Sequence, residues 1–217
     1  MLRGLYTAAT GMTVQRAKMD VLTNNIVNTS TTGYKKDTLL SSSFAEVMIE
    51  RINDPNVINE GPEVGPYSFG THIDEVSTDF TTGSIEDTGA QTDLAISGQG
   101  FFAVETPEGE RYTRAGNFKV DEQGFLVTDD GYYVLGENGR INVGSGDFMV
   151  DSEGNVTVGD TPAGTLRIVQ FQQTDGLRKQ GESLYYSFTG EVPADEENRK
   201  VMQGFLERSN VEIADEM

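Results

Sequence analysis

The stretch FFAVETPEGERYTRAGNFKVDEQGFLVTDDGYYVL, residues 101–135, decides the fold class. Its short apolar runs are separated by Gly, Asp and Asn, which is the pattern of half-buried antiparallel strands joined by tight turns. The same pattern extends from about residue 53 to residue 200. The sequence therefore predicts a mainly β fold, with strands at residues 101–104, 118–120, 125–127, 132–135 and 166–171.

Two turn sequences in this region are near-copies of each other. Asp121 precedes Gly124 by three residues, and Asp151 precedes Gly154 by the same spacing, each pair between apolar runs. An Asp side chain accepts hydrogen bonds from the turn that follows it, and Gly takes positive φ at little steric cost. Both sequences therefore predict tight β-hairpins.

Upstream of the strands, apolar residues recur in the first 27 residues with a heptad spacing. The spacing predicts one amphipathic helix from about residue 3 to residue 27. Its apolar stripe is narrow and is interrupted by Gln15, so it can pack either on this chain's own core or on a partner helix from elsewhere. The residues predicted to form an assembly interface are Leu5, Ala8, Met12, Met19, Leu22, Asn25 and Ile26.

The segment after this helix is polar and rich in Asn and Thr. Residues 28–32 are expected to end the helix, and Gly33 is expected to take positive φ. Residues 37–52 then predict a second helix. Its apolar side would consist of Leu39, Leu40, Phe44, Val47, Met48 and Ile49.

Near the end of the chain, Ser209 and Glu212 have the spacing of a capping box, in which each side chain bonds the backbone amide of the other residue. A helix that begins here would have about seven residues, too few to be stable alone. We therefore expect that a C-terminal helix is missing from this chain and would be the partner of the apolar stripe. The expected organisation is an N-terminal helical assembly segment (1–36), a β-rich middle domain (37–200), and a return strand with the start of a truncated helix (201–217).

The net charge of −19 is unevenly distributed. Residues 1–36 carry five basic residues against Asp20 alone, a net charge of +4, which leaves −23 for the other 181 residues. An acidic chain without Lys/Arg clusters argues against a nucleic-acid partner. A basic arm and an acidic body suggest complementary contacts between neighbouring copies, while an acidic body also serves solubility. No apolar run reaches the roughly 20 residues that span a bilayer, so no transmembrane segment is predicted.

The sequence contains no recognisable residue set for catalysis or cofactor binding. The chain has no Cys, and its single histidine, His72, has no nucleophile-elbow sequence to act with. The stretch 98–100 (Gly-Gln-Gly) lacks the third Gly of a dinucleotide loop, and predicts instead a bend that sends Phe101 and Phe102 to opposite sides of a strand. Acid pairs such as Asp129–Asp130 and Glu86–Asp87 lack calcium-loop spacing and are interpreted as solvated turns. No enzyme activity, cofactor, metal or small-molecule substrate is predicted.

Four sequence blocks closely resemble flagellar basal-body rod and hook proteins. The first block comprises LYTAATGM (5–12), NNIVNT (24–29) and TGYK (32–35); the others are DLAISGQGFF (93–102), YTRAGNF (112–118) and LERSNV (206–211). The distal-rod type is most similar and the proximal-rod type is close behind. The motif residues are Asn24, Asn28, Gly33, Tyr34, Gly98, Gly100, Phe101, Phe102, Ser209 and Asn210.

The resemblance implies a structural subunit of the bacterial flagellar basal-body rod. Its N- and C-terminal helices would pair and pack with those of neighbours into the axial tube between motor and hook, and its β-rich domain would form the outer layer. The implied partners are copies of itself, other rod and hook proteins, and the flagellar type III export apparatus that delivers it across the cytoplasmic membrane. The resemblance implies a C-terminal helix beyond Met217, and we expect self-assembly to require that helix. The alternative hypothesis is an exported acidic β-rich binding or adhesion module.

Overall fold

The computed structural model describes residues 2–50, 63–144, 147–171, 174–181, 183–187, 192–193 and 199–216. The fold is mainly β with a long N-terminal helix, as predicted. Helix α1 is Leu2–Val27, a short 3₁₀ helix is Thr174–Gly176, and α2 is Ile213–Glu216. Among the described helices, none is long and apolar enough to cross a membrane.

The strands follow in this order. They are β1 (Asp37–Ser43), β2 (Val47–Glu50), β3 (Glu63–Tyr67), β4 (Thr71–Thr78), β5 (Ile85–Asp87), β6 (Leu94–Gly98), β7 (Phe101–Thr106), β8 (Gly109–Thr113), β9 (Lys119–Val120), β10 (Leu126–Val127), β11 (Tyr133–Gly136), β12 (Gly139–Arg140), β13 (Phe148–Val150), β14 (Asn155–Val158), β15 (Thr161–Thr165), β16 (Ile168–Gln170), β17 (Leu177–Gln180), β18 (Leu184–Ser187), β19 (Val192–Pro193), β20 (Arg199–Gln203) and β21 (Phe205–Glu207). The five predicted strand regions coincide with β7, β9, β10, β11 and β16.

The chain divides into two compact units. The arm unit comprises Met1–Asn24 and Asp37–Ser77, and the body unit comprises Asn25–Lys36 and Thr78–Met217. The arm unit holds most of α1 and two strand pairs, β1 with β4 and β2 antiparallel to β3. One side of α1 packs within this unit: Thr7 Oγ1 donates to the Phe69 carbonyl at 3.1 Å, and Val14 is buried.

The predicted helix at residues 37–52 is wrong. Residues 37–43 and 47–50 form β1 and β2, and residues 51–52 lie outside the described part of the chain. The helix was predicted from apolar spacing alone, across the unfavourable run of three serines at 41–43. Strands from later in the chain, β4 and β3, supply the backbone partners that stabilise the extended conformation instead.

The body unit is built around a largely antiparallel sheet in the order β17-β18-β8-β7-β11-β10-β9, with β16 also paired to β7. A three-stranded sheet, β13-β14-β15, and the pairs β20-β6 and β21-β5 complete it. Two apolar clusters lie on opposite sides of β7. Phe102 belongs to the larger cluster and Phe101 to the smaller, so the prediction that their rings point to opposite sides is confirmed.

Both predicted hairpin turns are confirmed. Asp121 Oδ1 accepts hydrogen bonds from the amides of Gln123 and Phe125 at 3.0 and 2.8 Å, and Gly124 has φ 87°. Asp151 Oδ1 accepts from the amides of Glu153 and Asn155, both at 2.9 Å. The pKa of Asp151 is lowered mainly by the side-chain hydrogen bond from Asn155 and, to a smaller extent, by the bonds from backbone amides.

The predicted capping box is wrong. Ser209 Oγ accepts from the amide of Val211 at 3.3 Å, which is a serine turn, and α2 begins only at Ile213. Ser209 lies four residues before the first helical residue and cannot cap it.

Of the acid pairs, Asp129–Asp130 lies in an exposed turn as predicted, whereas Glu86–Asp87 is exposed but lies in β5.

Candidate functional site

The apolar stripe of α1 faces outward over most of its length. Leu5, Met12 and Met19 expose 67%, 67% and 60% of their surface, and Ala8 is exposed too. Because successive helical residues are rotated by about 100°, this stripe lies on the side opposite Val14, which is buried. Among the described residues of the arm unit, none covers these four side chains.

The C-terminal end of α1 behaves differently. Leu22 and Ile26 are half-buried, and Asn25 is only 1% exposed. Asn25 Oδ1 accepts a hydrogen bond from the Tyr34 hydroxyl at 3.2 Å, within the body unit. Of the predicted interface residues, Asn25 therefore faces the interior.

Inside the body unit, a buried group of charged side chains joins residues 33–36 to the end of the chain. Lys35 Nζ lies 2.6 Å from Glu207 Oε1, and Arg114 Nη1 lies 3.2 Å from Glu207 Oε2. The three side chains are between 0% and 3% exposed. We call Lys35, Arg114 and Glu207, together with Asn210, the ionic clasp.

Backbone groups complete the coordination of this cluster. The Gly83 amide donates to Glu207 Oε1 at 2.9 Å, and Lys35 Nζ also donates to the Thr81 carbonyl at 2.7 Å. Arg114 donates to the carbonyls of Ile96 at 3.1 Å and Gly98 at 2.6 Å. The guanidinium carbon of Arg114 lies 5.5 Å from the centroid of the Phe101 ring, within cation–π range.

Residues 33–36 are also bound to the end of the chain through backbone groups. The Gly33 amide donates to the Glu207 carbonyl at 2.8 Å, and the Lys36 amide donates to Asn210 Oδ1 at 2.7 Å. Asn210 Nδ2 in turn donates to the Asp79 carbonyl at 2.9 Å, and the Asp79 amide donates to the Lys36 carbonyl at 2.8 Å. Asn210 therefore joins the segment after α1, the segment before β5 and the end of the chain.

Tyr34 extends this network to the end of α1. Its side chain is fully buried, and Lys179 Nζ lies 3.6 Å from its ring centroid, a cation–π contact. The same Nζ donates to the Lys35 carbonyl at 3.0 Å. With its hydroxyl bond to Asn25, Tyr34 links the last turn of α1 to the ionic clasp.

Two buried cations share one buried carboxylate in the clasp. Burial lowers the pKa of Lys35, and the attraction of Glu207 opposes that effect without cancelling it. Burial also lowers the pKa of Arg114, against the same attraction from Glu207. Removing Glu207 would leave two like charges in a desolvated site, so the clasp depends on that carboxylate.

The structure brings together motif residues from three of the four sequence blocks. Gly33, Gly98 and Phe101 contact members of the clasp, Asn210 belongs to it, and Tyr34 is joined to it through Lys179. Phe102 lies in the larger core, and Asn24 is exposed. Gly98 and Gly100 take φ of 113° and 132°, as expected for the bend before β7. Asn28 accepts from Thr31 Oγ1 in the turn that ends α1, and Ser209 forms its own turn.

Sequence reasoning missed Lys35, Arg114 and Glu207 as site residues. Each stands inside a motif block, but a charged residue in isolation predicts a solvated surface position. The available signal was that the first and third blocks contain Lys35 and Arg114 and the last contains Glu207, each beside apolar or Gly-containing stretches. Within the described residues, no group of three His, Asp or Glu side chains could hold a metal, and His72 lies exposed on β4, stacked on Phe44 at 5.0 Å.

Comparisons with known proteins agree with the motif blocks. Residues 5–35 match the flagella basal body rod protein family, and residues 95–158 match the flagellar hook protein FlgE/F/G D1 domain. The chain is 35% identical to flagellar basal-body rod protein FlgG of Bacillus subtilis and 34% identical to FlgG of Agrobacterium fabrum, in each case over 100% of this chain and 88% of the relative. It is 31% identical to flagellar basal-body rod protein FlgF of Caulobacter vibrioides, over 98% of this chain and 84% of the relative.

Proposed function

The chain belongs to the flagellar basal-body rod protein family, and on that premise we propose that it is a structural subunit of the bacterial flagellar rod. Its place is the basal body, where it is built into the rod with other subunits. The main observation that supports a way of assembling is the exposed apolar stripe on α1. We interpret the stripe as the surface through which copies of this chain and other rod and hook proteins associate.

The energetics of the stripe favour a helical partner. Fully burying a Leu or Met side chain stabilises an association by about 1.5–3 kcal/mol relative to leaving it exposed. Leu5, Met12 and Met19 are seven residues apart, which is the spacing of a helix–helix seam rather than of scattered surface residues. The partner helix would come from a terminal segment of the same kind, supplied by this or a neighbouring subunit.

Two finer assignments belong to this proposal. The flagellar type III export apparatus is the route by which the subunit leaves the cytoplasm, and the distal-rod type is the position that the sequence most resembles. The family is a structural one, and we assign no catalytic role to any residue. A monomeric binding module, the competing hypothesis, would act without the helix seam.

The decisive experiment replaces one stripe residue in cells that build flagella with this protein. Met12→Asp places a charge in the seam and should remove the subunit from isolated hook–basal bodies and abolish motility, while circular dichroism of the purified chain stays unchanged. Thr13→Asp is the matched control, because Thr13 is exposed on α1 outside the stripe and bonds only the Ala9 carbonyl among the contacts described for it. Incorporation of Met12→Asp at the level of the control would overturn the proposal.

A further inference from the structure

We propose that the ionic clasp is a positioning device for assembly, a role that rests on the proposed function. Within the body unit it holds the end of α1 and the start of α2 against the same few residues. The segment that follows α1 and the segment that precedes α2 would thereby be held together at one place in the body unit when neighbouring subunits associate. Lys35, Arg114, Glu207 and Asn210 are the positioning residues.

The spacing along the chain supports this role. Five residues, 28–32, separate the end of α1 at Val27 from Gly33, and two residues separate Asn210 from the start of α2 at Ile213. The short connection after α1 is itself bonded: the Asn28 amide donates to the Asn25 carbonyl and the Thr31 amide to the Asn28 carbonyl, both at 3.2 Å. Within the body unit, little chain remains between Asn25 or Ile213 and the clasp residues.

The chemistry of the clasp suits positioning better than it suits stability. Replacing a buried ionic group by apolar residues of similar volume is often neutral or stabilising, because desolvation offsets the attraction between the charges. Hydrogen bonds between buried groups require particular distances and angles, whereas apolar packing tolerates shifted arrangements. A buried network with two cations, one carboxylate and at least four backbone partners therefore fixes one arrangement of residues 33–36 on β21.

A close backbone approach reinforces the same arrangement. A Cβ on Gly33 would lie 2.3 Å from the Ala115 amide nitrogen, immediately after Arg114 in the chain. Residues 33–36 can therefore reach the clasp only with a glycine at this point, in the left-handed conformation with φ 67°. The ionic clasp and the glycine contact both restrict the same four residues.

The test separates position from stability by removing every charge of the triad at once. The variant Lys35→Met/Arg114→Met/Glu207→Leu leaves no unpaired charge, although the Gly83 amide and three carbonyls lose the partners that the triad supplies. It should still fold, yet its incorporation into hook–basal bodies should fall by roughly tenfold or more. The surface pair Arg140–Glu105, 2.6 Å apart, provides the matched control: Arg140→Met/Glu105→Leu removes an ion pair without touching the clasp and should incorporate normally. A stable triple variant that incorporates like the control would overturn the inference.

A second variant decides the matter if the triple variant does not fold. Asn210→Ala removes the acceptor of the Lys36 amide. It leaves no charge unpaired, because asparagine is neutral, and the side chain of Asn210 is only half-buried. Hydrogen exchange should show loss of protection at the Lys36 amide, and incorporation into hook–basal bodies should fall, whereas the control Arg140→Met/Glu105→Leu should keep both. Lost protection with normal incorporation would refute the positioning role. Absence of the wild-type chain from basal bodies would instead refute the proposed function itself.

Discussion

Glu207 Oε1 lies 2.6 Å from Lys35 Nζ, although the two residues are 172 positions apart in the chain. Both side chains are completely buried. Closing so long a loop is entropically unfavourable until the intervening strands have formed. The contact therefore marks the completed body unit, in which the last strand, β21, has returned beside the segment that follows α1.

The first prediction concerns the carboxylate of this pair. Glu207→Gln removes the only acid of the triad and leaves Lys35 and Arg114 facing a neutral amide in a desolvated site. Breaking a buried ion pair by removing one partner costs about 3–5 kcal/mol, so we expect a loss of that order in the free energy of unfolding, measured with urea. Glu86→Gln is the control, because Glu86 forms an exposed ion pair with Arg208 and its loss should change little. Equal effects of the two substitutions would contradict this account of the clasp.

The second prediction concerns pH and Lys35. Burial lowers the pKa of Lys35 below its usual value of 10.5 in the native state. Between that lowered value and 10.5 the unfolded chain binds more protons than the native chain, so the contribution of Lys35 to stability rises with pH across this window and is lost as pH falls through the native pKa. We expect the unfolding free energy of the wild type, minus that of Lys35→Met, to increase as pH is raised from neutrality towards 10.5. A difference that stays flat or falls over this range would refute the prediction.

Local sequence signals predicted the local structure of this protein well. The heptad gave α1, the Asp-to-Gly spacing gave both hairpins, and the alternating runs gave β7, β9, β10, β11 and β16. Each of these elements is determined by residues close together in the chain. The helix prediction for residues 37–52 was wrong because the conformation of β1 and β2 depends on pairing with β4 and β3. The apolar spacing of the segment itself does not reveal those partners.

The same difference between local and tertiary signals applies to the candidate site. The stripe residues Leu5, Met12 and Met19 were recognisable from their period, which is a property of one helix. The clasp was not, because a lysine, an arginine and a glutamate acquire their roles only when three distant segments meet. The motif blocks containing them could be identified, but the burial of their charges depends on the tertiary structure.

The third prediction tests the close approach at Gly33. Gly33 and Gly159 both have left-handed φ, 67° and 58°, but a Cβ on Gly33 would lie 2.3 Å from the Ala115 nitrogen whereas a Cβ on Gly159 would meet no atom within 4 Å. Gly159→Ala should lose about 1 kcal/mol of stability from backbone strain alone. Gly33→Ala should lose about 1–3 kcal/mol more, because the backbone of residues 114–115 must move. Thermal or urea unfolding of the two variants measures the difference, and equal losses would show that the approach to Ala115 is loosely packed.

The fourth prediction tests whether β7 separates two independent cores. The rings of Phe102 and Phe118 lie 5.2 Å apart in an edge-to-face arrangement, whereas Phe101 packs on the other side of the strand with Phe171 and Tyr185. Edge-to-face pairs contribute about 0.5–1.5 kcal/mol beyond the area that they bury. A double-mutant cycle of Phe102→Leu with Phe118→Leu should therefore give a coupling energy in that range. The cycle of Phe101→Leu with Phe118→Leu, which changes the adjacent position of the same strand, should give a coupling near zero, because the two rings share no cluster. Comparable coupling in both cycles would mean that the two sides of β7 respond as one core, through movement of the strand itself.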